Sequence, residues 1–314
     1  MNLKALIREG KGFIINNHPI KIYKRNKFKK EFLIKKPIEE LNMKEIKDFE
    51  IYTVAFNNWQ VIEFLSILIK KNLIDEHKFI VVDNSDDKDA SNKIKSISIE
   101  HGHGYIKLAE NKLYSSQSHG IALNYIFHNY IQKRNPKYFG IIDHDIFPIK
   151  KTSILDKLSN QDFYGYLIDK NRRSYTGDAW MLRPGFCFYK NIFTKMDFSV
   201  KKSFFPLFAL DTGGGNYKKI YKKYNKENIQ FCERKAYGIT HGGETQLVDY
   251  ADMLDLSGFN IYEKYNQIFE LIQEGEWYHK GATYYLGDKK SNEYKKYLLK
   301  QNSFYKEFKE KYFK

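Results

Sequence analysis

From residue 50 to residue 145 the chain alternates short β-branched apolar runs with stretches of helical period. Ile51-Tyr-Thr-Val-Ala-Phe56 is apolar and β-branched, and the polar pair Asn57-Asn58 ends it. Residues 59–71 then set Val61, Ile62, Leu65, Leu68 and Ile69 at helical spacing. Phe79-Ile-Val-Val82 predicts a second strand ending at Asp83-Asn84-Ser85, and residues 89–99 a helix. Gly104-Tyr-Ile-Lys-Leu108 predicts a third strand. Gly120 to Gln132, with Ile121, Leu123, Tyr125, Ile126, Phe127 and Tyr130, predicts the helix that follows. The run Tyr138 to Ile142 then stops abruptly at Asp143-His144-Asp145. Strands alternating with helices imply an α/β fold with a parallel sheet covered on both faces. Ligands of such sheets bind beyond the carboxyl ends of the strands, where Asn57, Asp83 and Asp143 all fall.

The rest of the chain is less regular. Residues 1–48 do not follow the strand–helix pattern and read as an N-terminal basic arm. It holds a short helix and turn over Leu6–His18, a break at Lys35-Lys-Pro37 and a linker helix over Ile38–Ile46. Residues 49–150 form one half of the main domain and 151–288 a second half. Phe163–Ile168, Tyr175–Trp180 and Pro184–Tyr189 are strands and loops that extend the sheet. Residues 289–314 end the chain as a basic amphipathic helix, with Tyr294, Tyr297, Leu298, Phe304, Tyr305, Phe308 and Tyr312 near helical spacing.

Two carboxylates separated by one residue are costly to hold together in a crevice. A hard cation such as Mg²⁺ or Mn²⁺ offsets that cost, and it favours carboxylates, phosphate oxygens and water. Asp143 and Asp145 are therefore candidate ligands for a cation that carries a diphosphate. His144 points the other way in an extended segment and is read as packed. The structural alternative for Asp83 is an Asx-turn that shapes the loop after it.

The order Thr53-Val-Ala-Phe-Asn57, Val-Val-Asp83-Asn-Ser, Gly120-x-Ala-x-Asn124 and Asp143-x-Asp145 resembles the GT-A glycosyltransferases, especially the family-2-like bacterial group. The resemblance covers roughly residues 50–150 and continues more faintly to about 285. It implies the GT-A fold, a Rossmann-like nucleotide-diphospho-sugar transferase architecture with a mostly parallel mixed sheet flanked by helices. It further implies Asp83 as the contact to base or ribose, with Ala55, Phe56 and Asn57 lining the nucleotide pocket. Asp143 becomes the first acid of the pair, near the ribose or a metal-bound water, and Asp145 the metal ligand. Ser118-His119-Gly120 departs from the usual polar-x-Gly lead-in. The chain lacks a Gln-x-x-Arg-Trp signature, which argues against a processive polysaccharide synthase, and no Glu-Asp pair marks the usual base.

Asp211, before Thr212 and three glycines, is the candidate general base for an acceptor hydroxyl. Its structural alternative, shared with Thr212, is to cap the helix predicted from Tyr217. Asp178 is the reserve base, and Trp180 beside it is a candidate sugar-stacking ring or, more commonly, a core tryptophan. His279, in a segment resembling the late His-x-Gly of many GT-A enzymes, is the expected third metal ligand, with His241 as its alternative. Lys280 is then placed to neutralise phosphate charge, and Arg172, Arg173 and Arg183 are further anion-binding candidates.

Composition narrows the partners. The net charge of +15 is concentrated at the ends, and residues 21–36 hold eight bases against one acid. A solvated basic surface is the simplest meaning, an anionic membrane surface comes next, and nucleic acid last, because no recognition motif is present. Tyr and Phe, at 25 and 24 residues, suit carbohydrate sites, but an AT-rich coding bias explains them better. Cys187 and Cys232 have no metal spacing and fit a reducing compartment. No run of 18 apolar residues occurs, and the start lacks a signal-peptide core, so a cytoplasmic protein, peripheral on the inner membrane face at most, is expected.

These readings converge on an enzyme using Mn²⁺ or Mg²⁺. It moves a hexosyl group from a UDP- or GDP-type donor to a glycan or lipid-linked acceptor of the cell-surface polysaccharide, lipopolysaccharide or capsule kind. The family resemblance implies inversion. A sugar nucleotidyltransferase is one rival, but it wants a Gly-rich basic loop where Asn57-Asn58-Trp59 stands. A non-catalytic basic protein binding anionic lipid or nucleic acid is another, and it leaves Asp143 and Asp145 without a purpose.

Overall fold

The computed structural model describes residues 19–111, 113, 115–169, 178–204, 207–237, 269–281 and 292–313. Its centre is a seven-stranded sheet in the order β1-β4-β3-β2-β5-β8-β7. The strands are β1 (Glu39–Leu41), β2 (Phe49–Ala55), β3 (Lys78–Asp83), β4 (Gly104–Lys107), β5 (Tyr138–Asp143), β7 (Phe163–Ile168) and β8 (Met181–Lys190). β4, β3, β2 and β5 are mutually parallel, whereas β1 and β8 run against their neighbours. All six residues of β3 and nearly all of β2 are buried. That is why these strands read as continuous apolar runs: helices cover both faces. This is the mixed α/β sheet flanked by helices that the sequence implied.

The helices follow their signals closely. α1 spans Pro19–Ile34, α2 Trp59–Asn72, α3 Lys88–Glu100 and α4 Ser115–Ile126. Asn58 caps α2 by accepting from Val61 N, and Asp87 caps α3 by accepting from Ala90 N at 2.9 Å. The apolar face of α2, from Val61 to Ile69, is buried against the sheet. Each such side chain contributes about 1.5–3 kcal/mol. α4 continues through a π turn over Phe127–Ile131 and ends near Asn135, whose φ of 51° suits an Asn in the left-handed region.

Two expectations for the arm change. Residues 39–41 are a strand, not part of a linker helix, and they extend the sheet by pairing antiparallel with β4. The basic run is itself helical as α1, which packs Phe28 and Phe32 beside Tyr125 of α4. The following segment is held by Arg134, which bonds the buried Glu50 carboxylate at 2.6 and 3.0 Å and the carbonyls of Met43 and Glu45.

A second, four-stranded antiparallel sheet has the order β11-β12-β13-β6. Its strands are β6 (Ile146–Pro148), β11 (Arg234–Tyr237), β12 (Phe269–Ile272) and β13 (Trp277–His279). The C-terminal helix lies over this sheet and over α2. It spans Asn292–Tyr312, and Phe308 packs on Phe64, Phe147 and Tyr278. α1 and the C-terminal helix thus dock on α4 and α2 respectively. Right-handed crossovers put α4 and α2 on opposite faces of the main sheet. Cys187 and Cys232 are both buried free thiols. No helix among the described residues is long and apolar enough to cross a membrane.

Candidate metal and nucleotide site

Three strand ends meet above the sheet. Ala55 of β2 is registered with Asp83 of β3, and Val54 of β2 with Asp143 of β5. The chain then turns at His144-Asp145 directly into β6. β6 pairs with β13 so that His279 lies opposite Ile146, and Lys280 N donates to Asp145 O at 2.9 Å. This pairing carries His279 to the acids. Its Nε2 is 3.5 Å from Asp145 Oδ1, and ligand atoms of Asp143, Asp145 and His279 all fall within 4.8 Å of one another.

Asp143 is a quarter exposed and Asp145 is buried. Burial opposes ionisation of Asp145, yet His279, His144 and Arg183 outweigh it and hold the carboxyl well below the usual carboxylate range. Burial pushes the His144 imidazole down, and its Nδ1 accepts from Phe56 N at 3.4 Å. His144 is part-buried at a turn and does not join the cluster of candidate ligands. Two carboxylates and one imidazole converging on a partly open point form a donor set that suits Mn²⁺ or Mg²⁺, with positions left over for phosphate oxygens and water.

An arginine and a histidine flank Asp143. Arg183 Nη2 of β8 is 3.8 Å from Oδ2, and His119 Nε2 of α4 is 3.9 Å from Oδ1. β8 comes this close because residue 185 is glycine. A Cβ there would sit 1.8 Å from Asp143 Oδ2. Lys280 is completely buried, and burial pushes its ammonium down to about 8, with Asp145 acting in the opposite direction.

The remaining candidates have mixed fates. Asp83 is fully buried. Its oxygens accept from Ser85 N, Ser91 Oγ, Tyr105 Oη and Lys107 Nζ. These bonds hold the loop after β3, and the side chain is closed to solvent in this arrangement. Ala55 is likewise fully buried, and its carbonyl accepts from Asn84 N. Asn57 has a φ of 52°, and its side-chain oxygen accepts from Asp86 N and Asp87 N, tying the loops after β2 and β3 together. Phe56 stays partly exposed between them. Trp180 is a core tryptophan, packed on Tyr221 at 5.0 Å and against Phe231 at 5.7 Å, so it offers no face to a sugar. Asp178 is exposed just before it.

Asp211 follows β10 (Leu207–Leu210) and is half-buried, with Oδ1 accepting from Thr212 N at 2.8 Å. The short helix Asn216–Lys219 starts from Gly215 without a side-chain cap, so neither Asp211 nor Thr212 caps it. Gly213, at a φ of +88°, turns this loop against Pro184, the neighbour of Gly185. Thr212 Oγ1 anchors the loop to Ser116 O of α4. The Asp211 loop therefore forms a wall next to the strand that backs Asp143. His241, Arg172 and Arg173 lie outside the described residues. The sequence marks His119 only as part of a departure from the polar-x-Gly lead-in, not as a neighbour of Asp143, and nothing local in it marks Gly185.

No known sequence family matches the chain, and no curated protein matches it. Solved structures do overlap with it in part. The mannosyltransferase PcManGT from Pyrobaculum calidifontis, in complex with GDP-Man and Mn²⁺, is 13% identical over 52% of this chain and 50% of its own, with a TM-score of 0.33. S. aureus TarS is 16% identical over 46% of this chain and 28% of its own, with a TM-score of 0.31. The chain spans half or less of either protein. Its architecture stands on its own strand order.

Proposed function

We propose that this chain is a metal-dependent glycosyltransferase that takes a nucleoside-diphosphate-sugar donor. The observation that carries the reading is the meeting of Asp143, Asp145 and His279 at the carboxyl end of the central strands. A triad of this donor chemistry at this place in an α/β sheet suits a cation that carries a diphosphate.

Asp145 and His279 would hold the cation, with Asp143 at its open side. The bound cation supplies charge neutralisation for the diphosphate leaving group. Arg183 is placed to hold a phosphate oxygen, and His119 to donate to one. Asp211 is the proposed base. It takes the proton of the acceptor hydroxyl as that oxygen bonds to the anomeric carbon, and the bond to the donor's phosphate oxygen breaks with its electron pair leaving on the diphosphate. Attack from the side opposite the leaving group inverts the anomeric centre. UDP or GDP as the carrier, and a glycan or lipid-linked acceptor of the cell-surface kind, complete the reading.

Calorimetry of UDP and GDP with and without Mn²⁺ tests it. Binding that requires Mn²⁺ and falls by about tenfold or more in Asp145→Asn, at an unchanged melting temperature, is expected. Equal affinity in wild type and variant would remove the metal site from the mechanism.

A further inference from the structure

α1 docks on α4 by one face, where Phe32 is buried beside Tyr125. Its opposite face runs Tyr23, Lys27, Lys30, Ile34, in steps of four, three and four residues, which line up along a helix. Tyr23 is 67% exposed and Ile34 83%, with both lysines exposed between them. Exposed Lys35 and Lys36 follow, and then Ile38, 68% exposed. One exposed apolar residue is ordinary. Three of them interleaved with four lysines, on a helix whose inner face is already packed, are a patch with a use.

The backbone of this patch is pinned from both sides. Asn129 Nδ2 donates to Leu33 O at 2.9 Å, and Tyr125 Oη to Lys35 O at 2.8 Å. Ile38 N donates to Lys107 O at 2.8 Å. The fold therefore holds the two isoleucines outward. The nearby acids are engaged: Glu31 faces Lys27 at 3.9 Å, Glu39 pairs with Lys95, and Glu40 accepts from the Tyr130 hydroxyl. Register ties the patch to the crevice. Glu39, next to Ile38, is opposite Lys107 at the carboxyl end of β4, Lys107 is opposite Asp83, Asp83 is opposite Ala55, and Val54 is opposite Asp143. The Ile38 corner and the candidate metal site thus share one end of the sheet, from β1 to β5, roughly 20 Å apart at the usual strand spacing.

Lysines alone would suit any polyanion. Aliphatic side chains gain nothing from a phosphodiester or a sulfate, but they do gain from leaving water for the boundary between headgroups and acyl chains. Ammonium groups beside them meet the headgroup phosphates, and a tyrosine ring sits well at that depth. We propose that the face from Tyr23 to Ile38 is a docking surface for an anionic lipid bilayer. Ile34 and Ile38 enter the headgroup–acyl boundary, and Lys27, Lys30, Lys35 and Lys36 bind the headgroups. The docking stands on these residues alone. Its use, to bring the donor crevice to a lipid-linked acceptor, rests on the glycosyltransferase reading.

Co-sedimentation of the full chain with phosphatidylglycerol–phosphatidylcholine vesicles, and with phosphatidylcholine vesicles, tests this, with binding to heparin measured in parallel. Wild type should bind the anionic vesicles, release them as salt is added, and ignore the neutral ones. Ile34→Asn with Ile38→Asn should weaken vesicle binding about tenfold or more and leave heparin binding unchanged. Lys35→Gln with Lys36→Gln should weaken both. These are surface changes, and an unchanged melting temperature verifies the fold of each variant. No binding to anionic vesicles, equal binding to neutral ones, or vesicle binding that survives loss of both isoleucines would overturn the proposal. Binding of UDP or GDP with Mn²⁺ is read separately by calorimetry, so failure of the donor site and failure of the docking surface are told apart.

Discussion

Asp83 and Asp143 look alike in the sequence, each an acid at the end of an apolar strand, yet they end differently. Asp143 keeps a quarter of its side chain exposed. Asp83 is sealed by Ser91, Tyr105 and Lys107, residues of the next helix and strand. Strand-end position is legible from local pattern, but the fate of the side chain is set by neighbours that only the fold brings together. Gly185 is the same lesson from the other side. Its missing Cβ leaves room for Asp143, and no spacing rule marks it. His103 carries a consequence for stability. It is buried against the edge of Phe79 at 4.9 Å, and burial, with the charges of His101, His77, Lys70 and Lys78, pushes its imidazole down to about 3. The folded value lies below the ordinary 6.5, so the unfolded chain takes up the proton first. The stability it permits is present above pH 6.5 and is lost as pH falls towards 3. His103→Gln should therefore flatten the acid side of the stability profile, by about 1 kcal/mol per pH unit between 6.5 and 4. Urea unfolding at pH 7.5 and pH 5 checks this, and identical slopes in both proteins would refute it.

Helices with clear caps and apolar stripes were legible as elements. The predicted spans over 59–71 and 89–99 match α2 and α3, and the span 289–314 contains the C-terminal helix. Short strands were not. β1 and β6 have three residues each, too few for an alternating pattern, and their partners lie far away in sequence. The pairing of β6 with β13 is nevertheless what carries His279 to Asp145. The C-terminal helix supports that pairing from behind through Phe308, which touches Phe147 of β6 and Tyr278 of β13. Phe308→Ala should cost about 3–5 kcal/mol and loosen the hairpin that holds the site. Chemical denaturation measures the loss. A loss under about 1 kcal/mol would mean the helix is not part of the cooperative fold.

At the scale of the whole molecule, the two halves read from the sequence share one sheet. β8 and β7 of the second half continue the first half's strands beyond β5. The basic ends do not form one surface, because α1 docks on α4 and the C-terminal helix on α2. A flat anionic membrane would therefore engage one of them, and α1, with Lys24, Lys27 and Lys30 exposed beside Tyr23, is the stronger proposal. The central claim concerns the crevice. Crystals grown with Mn²⁺ and UDP or GDP, measured at the manganese absorption edge, test it most directly. A single anomalous peak about 2.1 Å from an Asp145 oxygen and from His279 Nε2, with diphosphate oxygens completing its shell, is the predicted result. A bound nucleotide with no manganese at these residues, or manganese bound elsewhere on the chain, would contradict the account.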